Sequence, residues 1–381
     1  MNRIIYICIC AKAPLNEGGF FLNPKYMKRA IELAKKGIGY TNPNPIVGCV
    51  VVKNDEIISE GYHEKIGGFH AERNALTNCK EDTTGAELYV TLEPCCHYGK
   101  TPPCTEIIIE KNIKKVYVGS MDPNKLVAGK GVKILEENGI EVECGVLKDE
   151  CDKLNEVFFH YITNKTPYVV MKYAMTMDGK IACENGDSKW VTGEKARETV
   201  QNMRKKYMGI MVGINTVLED NPMLNCRIEE NVNPIRIICD SNLKIPFESN
   251  IVNTANKIQT IVVCTNKADK DKQRWLENKG IEVIRQKVKG RVVLSDLMKM
   301  LGEKGIDSIL LEGGGTLNAQ ALKENIVNKI CCFIAPKIVG GANAKSPIEG
   351  KGVEKMMEAY NLRNLEIQKI GNDIMLTGYL K

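Results

Sequence analysis

The sequence predicts an α/β protein made of two successive units, and three observations lead there. Its 381 residues exceed the usual size of one hydrophobic core. Short β-branched runs alternate with segments of helical apolar spacing from Asn23 onward. That rhythm breaks at a polar–apolar stretch, Lys148–Thr166, and restarts after Pro167. The expected division is an extension over residues 1–22, a first domain over 23–147, a linker helix over 148–166 and a second domain over 167–381.

The elements follow in order. "NPKYMKRAIELAKKG" (Asn23–Gly37) has helical apolar spacing, an N-cap-like Asn23 and a terminal glycine. "PIVGCVVVKNDEIISEGYH" reads as strand, Asn-Asp turn and strand. "HAERNALTNCK" is a helix, "AELYVTLE" a strand, "PPCTEIIIEKN" a helix, "IKKVYVGSMDPN" a strand and "GKGVKILEENGI" a helix. This predicts a mixed sheet flanked by helices, closing around Val146. In the second unit the expected strands are "YVVMKYAMT", "GIMVG", "PIRIICD", "IQTIVVCT", "IEVIRQ" and "SILLEGG". "NKICCFIAPKIVGG" and "IQKIGNDIMLTGYL" close the chain.

Composition narrows the class. Hydrophobic content of 43% and charged content of 26% describe an ordinary globular protein. A net charge of +6, without any dense Lys/Arg block, suits an anionic small substrate as well as RNA. Fifteen cysteines, an odd number scattered through expected strands, read as reduced, buried thiols of a cytoplasmic protein with a metal cluster among them. "MNRIIYICICAKA" has the outline of a signal peptide, but its apolar run is short. A non-essential extension is expected there, with a targeting segment as the alternative. No window approaches the roughly 20 apolar residues of a membrane span.

Three of the four histidines, His63, His70 and His97, fall beside a cysteine cluster. His70-Ala-Glu72 is followed by Pro94-Cys95, and Cys104 lies nine positions further on. One imidazole and two thiolates make a three-ligand zinc set with a fourth position open to water, the arrangement of a catalytic site. Zinc brings the pKa of such a water to about 7. Two residues apart on a helix, His70 and Glu72 point roughly 200° apart, so Glu72 suits proton transfer better than ligation. His-x-Glu with a later Pro-Cys and Cys is the pattern of zinc deaminases. Pro103 fits a first helical position, which puts Cys104 in a first turn that favours a thiolate. Taken singly, His-Ala-Glu is ordinary surface helix and Pro-Cys ordinary packing. A structural zinc knot would need a fourth ligand, which Cys96 or His97 could supply.

With "TNPNPIVGCVV" and "GYHEKIGGFHAERNAL" ahead of "TLEPCCHYGKTPPC", the chain resembles the bifunctional deaminase/reductase family of riboflavin biosynthesis. The resemblance implies a cytidine-deaminase-like α/β/α domain with zinc on His70, Cys95 and Cys104, and Glu72 as the catalytic proton donor. It implies that Asn44 and His63 line the substrate pocket. The family often has Ser where this chain has Cys96.

"SILLEGGGTLNAQAL" (Ser308–Leu322) joins a strand to a helix through glycines that let backbone N–H groups approach a phosphate. On its own the turn is weak evidence, because the G-x-G-x-x-G spacing is missing. "MKYAMTMDGKIACENGDSKWVTG" has a strand pattern, an Asp178-Gly179 hairpin turn and Trp190. "GINTVLEDNPMLNCR" sets Thr216, Asp220 and Arg227 along a polar loop. In this order they resemble the reductase half of the same family, with a fold like that of dihydrofolate reductase. The resemblance implies NADPH contacts at Ala174, Trp190, Thr216, Asp220, Ser241 and the Gly314-Gly315-Thr316 turn. Substrate contacts are implied at Lys172, Ser188, Arg204, Leu224, Arg227 and Glu312. Guanidinium groups suit a substrate phosphate, which they can grip bidentately.

The expected activity is hydrolytic deamination of a diamino-ribosylamino-pyrimidinone 5′-phosphate, then NADPH-dependent reduction of the ribosyl to a ribityl chain. Asp178, Asp220 and Glu312 are candidate proton donors for the second step. The expected partner is that phosphorylated small molecule, with no nucleic acid or membrane, in a homo-oligomer. A nucleic-acid base deaminase is the rival, but an aromatic content of 6% does not suit the stacking surface it would need.

Overall fold

A computed structural model describes residues 24–99, 101–229 and 232–380. The expected extension and the Asn23 cap lie outside the described residues. Helix α1 (Pro24–Lys35) is followed by the hairpin β1 (Gly48–Lys53) and β2 (Glu56–Tyr62). Its turn residues Asn54 and Asp55 both take left-handed φ, 52° and 62°, as a two-residue hairpin of matching twist requires. Then come α2 (Ala71–Asn78), β3 (Glu87–Leu92), α3 (Cys104–Glu110), β4 (Lys115–Ser120), α4 (Lys130–Glu137) and β5 (Glu141–Cys144). The strands form one mixed sheet in the order β2-β1-β3-β4-β5, antiparallel around β1 and parallel from β3 to β5.

Strand alternation sorts the core into two faces. Val50, Val52, Tyr89 and Tyr117 pack on Tyr26, Met27 and Ala30 of α1. Cys49, Val51, Leu88, Val90 and Val116 pack on Ala75 and Leu76 of α2, Ile108 of α3 and Leu135 of α4. The result is the expected α/β/α layering.

The single linker helix is corrected to two, α5 (Lys148–Leu154) and α6 (Glu156–Asn164). Asn155 leaves helical geometry between them, with ψ of 21°, and its side-chain amide pairs with both Ile46 N and Ile46 O at 3.0 Å.

The second sheet is built from β6 (Tyr168–Thr176), β7 (Gly209–Gly213), β8 (Ile235–Cys239), β9 (Thr260–Thr265), β10 (Glu282–Gln286), β11 (Ser308–Leu311), β12 (Lys329–Ala335), β13 (Arg363–Ile370) and β14 (Asp373–Tyr379). Between them lie α7 (Glu194–Lys206), α8 (Ile214–Asp220), α9 (Asn250–Asn253), α10 (Lys270–Asn278), α11 (Leu294–Glu303) and α12 (Gly315–Lys323). The strand order is β10-β9-β8-β7-β11-β6-β12-β14-β13, parallel through β12 and closed by an antiparallel hairpin. "IQKIGNDIMLTGYL" thus holds two strands, turned at Gly371 with φ of 64°.

Two local expectations are corrected. Thr216 and Asp220 ride on helix α8, and only Arg227 is in a loop. Asp178 makes a turn without a hairpin, because its carboxylate accepts bonds from Val339 N and from Gly340 N at 2.7 Å and so ties the end of β6 to a distant loop. Among the described residues no helix is long and apolar enough to cross a membrane.

Candidate functional site

His70 occupies the N-cap of α2, in extended geometry, and its carbonyl accepts from Asn74 N. From there its Nδ1 faces Cys95 Sγ at 3.4 Å and Cys104 Sγ at 3.5 Å. Cys95 lies in the loop after β3. Cys104 opens α3 with Pro103 one position earlier than expected, at the N-cap. The free N–H of Cys104 donates to Cys95 Sγ at 3.3 Å, using a helix-terminal donor to favour a thiolate. A hydrogen bond from the Cys104 thiol, aided by the imidazole, pulls the Cys95 thiol down to about 4, and the same pairing together with burial pushes the Cys104 thiol up.

The three ligand atoms lie within 4.8 Å of one another, and this nitrogen-and-two-sulfur set fits zinc. Among the described residues no fourth strong ligand joins the group. Cys96 Sγ instead points to Leu126 O at 3.7 Å. A closed structural knot is therefore not what the geometry offers.

Glu72, in the first turn of α2, is 3% exposed. Burial, reinforced by the nearby Cys95 thiolate, pushes its carboxyl up to about 7. A carboxyl so placed can both take and give a proton at neutral pH. Asn44 and His63 come together beside His70. Asn44 Nδ2 lies 3.3 Å from His63 Nε2, and His63 Nδ1 is 2.9 Å from the Phe69 carbonyl. The carbonyl accepts a hydrogen bond from Nδ1–H, which leaves Nε2 as the acceptor for Asn44. Burial lowers the His63 pKa and keeps the ring neutral. Its ring meets His70 edge-on at 5.3 Å.

Sequence reasoning missed Glu93. This buried carboxylate accepts backbone N–H bonds from Asp122, Gly129, Gly131 and Val132 at 3.0–3.4 Å, clamping the loop before α4 against Pro94-Cys95. No spacing rule marks such a residue, since its partners come from a loop far along the chain.

The second sheet holds a cleft of about 1710 Å³ at the C-terminal ends of its parallel strands. Strand β6 contributes Lys172 and Ala174, and the following loop Ser188 and Trp190. Helix α7 adds Arg204, α8 adds Thr216 and Asp220, and the later loops add Arg227 and Ser241. Glu312, Gly314, Gly315 and Thr316 form the turn into α12. Leu224 is the one expected residue not on the cleft wall. Its side chain is 4% exposed and packs in the core with Ile238 and Ile251.

Within the cleft, Arg204 grips Glu312 with both arms of its fork, at 2.9 and 3.1 Å, and its third nitrogen donates to Asn225 O at 3.1 Å. Lys172 Nζ stands 3.7 Å from the same carboxylate. Burial alone would raise the Glu312 pKa, but Arg204 and Lys172 outweigh it and hold the carboxyl at about 2. Trp190 is 58% exposed, with the Arg197 guanidinium 4.7 Å above its ring. A Cβ on Gly313 would sit 2.8 Å from Asn318 Oδ1, so a side chain there requires the buried Asn318 amide to move.

A family model for the cytidine and deoxycytidylate deaminase zinc-binding region matches residues 22–120, and one for the RibD C-terminal domain matches residues 167–376. A riboflavin biosynthesis protein RibD of Actinobacillus pleuropneumoniae is 54% identical over 369 residues, covering 97% of this chain and 98% of that protein. One of Bacillus amyloliquefaciens is 42% identical, covering 93% and 96%. The crystal structure of a diaminohydroxyphosphoribosylaminopyrimidine deaminase/5-amino-6-(5-phosphoribosylamino)uracil reductase from Thermotoga maritima is 39% identical. It matches with a TM-score of 0.83 over 93% of this chain and 98% of that one. With a zinc-fitted deaminase site in the first sheet unit and a cleft in the second, the chain belongs to the family of bifunctional deaminase/reductase enzymes of riboflavin biosynthesis.

Proposed function

We propose that the two halves act in turn on one phosphorylated pyrimidine. The first removes an amine from a diamino-ribosylamino-pyrimidinone 5′-phosphate, and the second reduces the ribosyl group to a ribityl chain with NADPH. The proposed limits are residues 23–147 for the deaminase, 148–166 for the linker and 167–381 for the reductase.

Zinc on His70, Cys95 and Cys104, when bound, supplies an activated water at neutral pH. Glu72 takes that water's proton and delivers it to the departing amine, a role its buried, raised carboxyl supports. Asn44, with its amide steered by neutral His63, orients the pyrimidine ring. In the second half NADPH, when bound, supplies hydride. Ala174, Trp190, Thr216, Asp220, Ser241 and the Gly314–Thr316 turn hold the cofactor, and the exposed Trp190 face and the α12 N-terminus support that reading. Lys172, Ser188, Arg204, Arg227 and Glu312 hold the substrate, with Arg227 as the uncommitted guanidinium for its phosphate. Leu224, inside the core, acts only through the backbone it anchors. Glu312 is ion-paired and ionised, and Asp178 is bound to Val339 and Gly340, so Asp220 is the remaining carboxyl for any proton the reduction needs.

A cytoplasmic location fits single buried thiols such as Cys49, Cys151 and Cys264. Assembly as a homo-oligomer fits the edge strand β13, where Leu365 and Ile367 are exposed.

The observation that carries the proposal is the convergence of His70, Cys95 and Cys104 beside a buried Glu72. Glu72→Ala tests it. The variant is expected to keep its zinc by metal analysis and to reduce independently supplied deaminated substrate, while releasing no ammonia from the diamino compound. Ammonia release at the native rate would end the catalytic assignment of Glu72. Loss of NADPH absorbance with the phosphorylated pyrimidine, but not with RNA, separates this reading from a nucleic-acid deaminase.

A further inference from the structure

The loop between α1 and β1 lies in the deaminase half, yet several of its residues close against the reductase half. Gly39 lies so near the end of α7 that a Cβ would stand 2.7 Å from the Lys205 carbonyl oxygen. Its φ of 86° independently favours glycine. Tyr40 donates its hydroxyl hydrogen to Glu229. Lys205 Nζ donates to Tyr40 Oη at 3.2 Å and to Glu229 Oε2 at 2.6 Å, and lies 4.6 Å from the centre of the Tyr40 ring.

Lys205 and Glu229 are not arbitrary anchor points. Lys205 follows Arg204, whose guanidinium is on the reductase cleft. Glu229 lies two residues after Arg227, which lines the same cleft. The strip between them is already tied to α7: Arg204 Nη1 donates to Asn225 O at 3.1 Å, and Arg227 N donates to Gln201 Oε1 at 2.9 Å. Tyr40 adds a tie on the far side of that strip, from a different domain.

We propose that Tyr40 of the deaminase half is a positioning residue of the reductase, setting the spacing of Arg204 and Arg227 through Lys205 and Glu229. The inference rests on the reading of this wall as the substrate-phosphate site. Bidentate guanidinium–phosphate recognition is strict in geometry, and a displacement of about 1 Å can cost on the order of 100-fold. Removing only the Tyr40 hydroxyl leaves the Lys205–Glu229 pair and the aromatic ring in place, so it loosens the cross-domain tie without dismantling the loop.

The test uses the full-length, zinc-loaded enzyme given the deaminated ribosylamino-pyrimidine phosphate directly, so that the first step is not needed. Tyr40→Phe is expected to raise KM for that substrate about fivefold, with kcat within about twofold and KM for NADPH unchanged. Glu229→Gln is expected to do the same, and the double variant to be no worse than the poorer single one, because both cut one connection. Arg227→Gln serves as the reference for the site and is expected to raise the same KM more than about tenfold. If Arg227→Gln raises KM but Tyr40→Phe and Glu229→Gln leave it unchanged, the positioning role is overturned and the site reading stands. If Arg227→Gln also leaves KM unchanged, the site reading falls and the inference falls with it. A joint fall in kcat, both affinities and thermal midpoint in Tyr40→Phe would make the residue a structural strut only, which also overturns the proposal.

Discussion

Glu312 shows how neighbouring cations hold a buried charge on the cleft wall. It is nearly buried between Arg204 and Lys172, and these cations hold it ionised against the cost of burial. Its folded pKa of about 2 lies below the ordinary carboxylate value near 4.3. The stability it contributes is therefore complete above about pH 4.3 and is lost as pH falls toward 2. Glu312→Gln leaves a buried guanidinium without its counter-charge and is expected to cost on the order of 3 kcal/mol at pH 7 by urea denaturation. That variant should also lose the part of the acid-limb slope that Glu312 supplies between pH 4.3 and 2. The grouping of His70, Cys95 and Cys104 was legible at this scale because a metal shell demands those residue types at short separations. The committed state of Arg204 was not legible, because its partner Glu312 lies more than a hundred positions away and only strand order makes them neighbours.

The loop between β4 and α4 braces the backbone that carries Cys95, one of the proposed zinc ligands. Its backbone N–H groups converge on Glu93, and Gly131 at the start of α4 comes so close that a Cβ would sit 2.1 Å from Pro94 O. Gly131→Ala forces the start of α4 and the Pro94-Cys95 backbone apart. We expect its zinc affinity to fall on the order of tenfold, as for other changes behind a metal's direct ligands. Competition with a chelator measures this, and the reductase step should be untouched. At this scale periodicity located most helices and strands within a few residues, since each buries one face. It failed where an element ends for a distant reason: the linker helix breaks at Asn155 to serve Ile46, and Asp178 turns to serve the 339–340 loop.

Among the described residues the two halves meet through polar contacts, and no buried apolar cluster spans both. Asn42 Nδ2 donates to Asp307 Oδ2 at 2.7 Å, and Asp307 is 1% exposed. Asn42→Ala leaves a buried carboxylate oxygen without that donor, at an expected cost of about 1–3 kcal/mol. Differential scanning calorimetry should show a lower midpoint for Asn42→Ala, and an unchanged midpoint would mean that the cross-domain bond contributes nothing net. Strand β11 begins beside this bond and ends at Glu312 in the cleft, so the interface and the reductase wall share one rigid element.

Local spacing alone carried the α/β class, the order of the two units, the grouping of His70, Cys95 and Cys104 near Glu72, and the glycine turn into α12. Each of these is written in local spacing, because a helix turn, a strand alternation or a metal shell constrains neighbours along the chain. The core position of Leu224, the pairing of Arg204, the bracing of the Cys95 backbone by Glu93 and the reach of Tyr40 into the other domain appear only once the chain is folded. These depend on which strands lie side by side and how two folded halves abut. Contacts of that kind are set by packing across long sequence separations, and no periodicity along the chain encodes them.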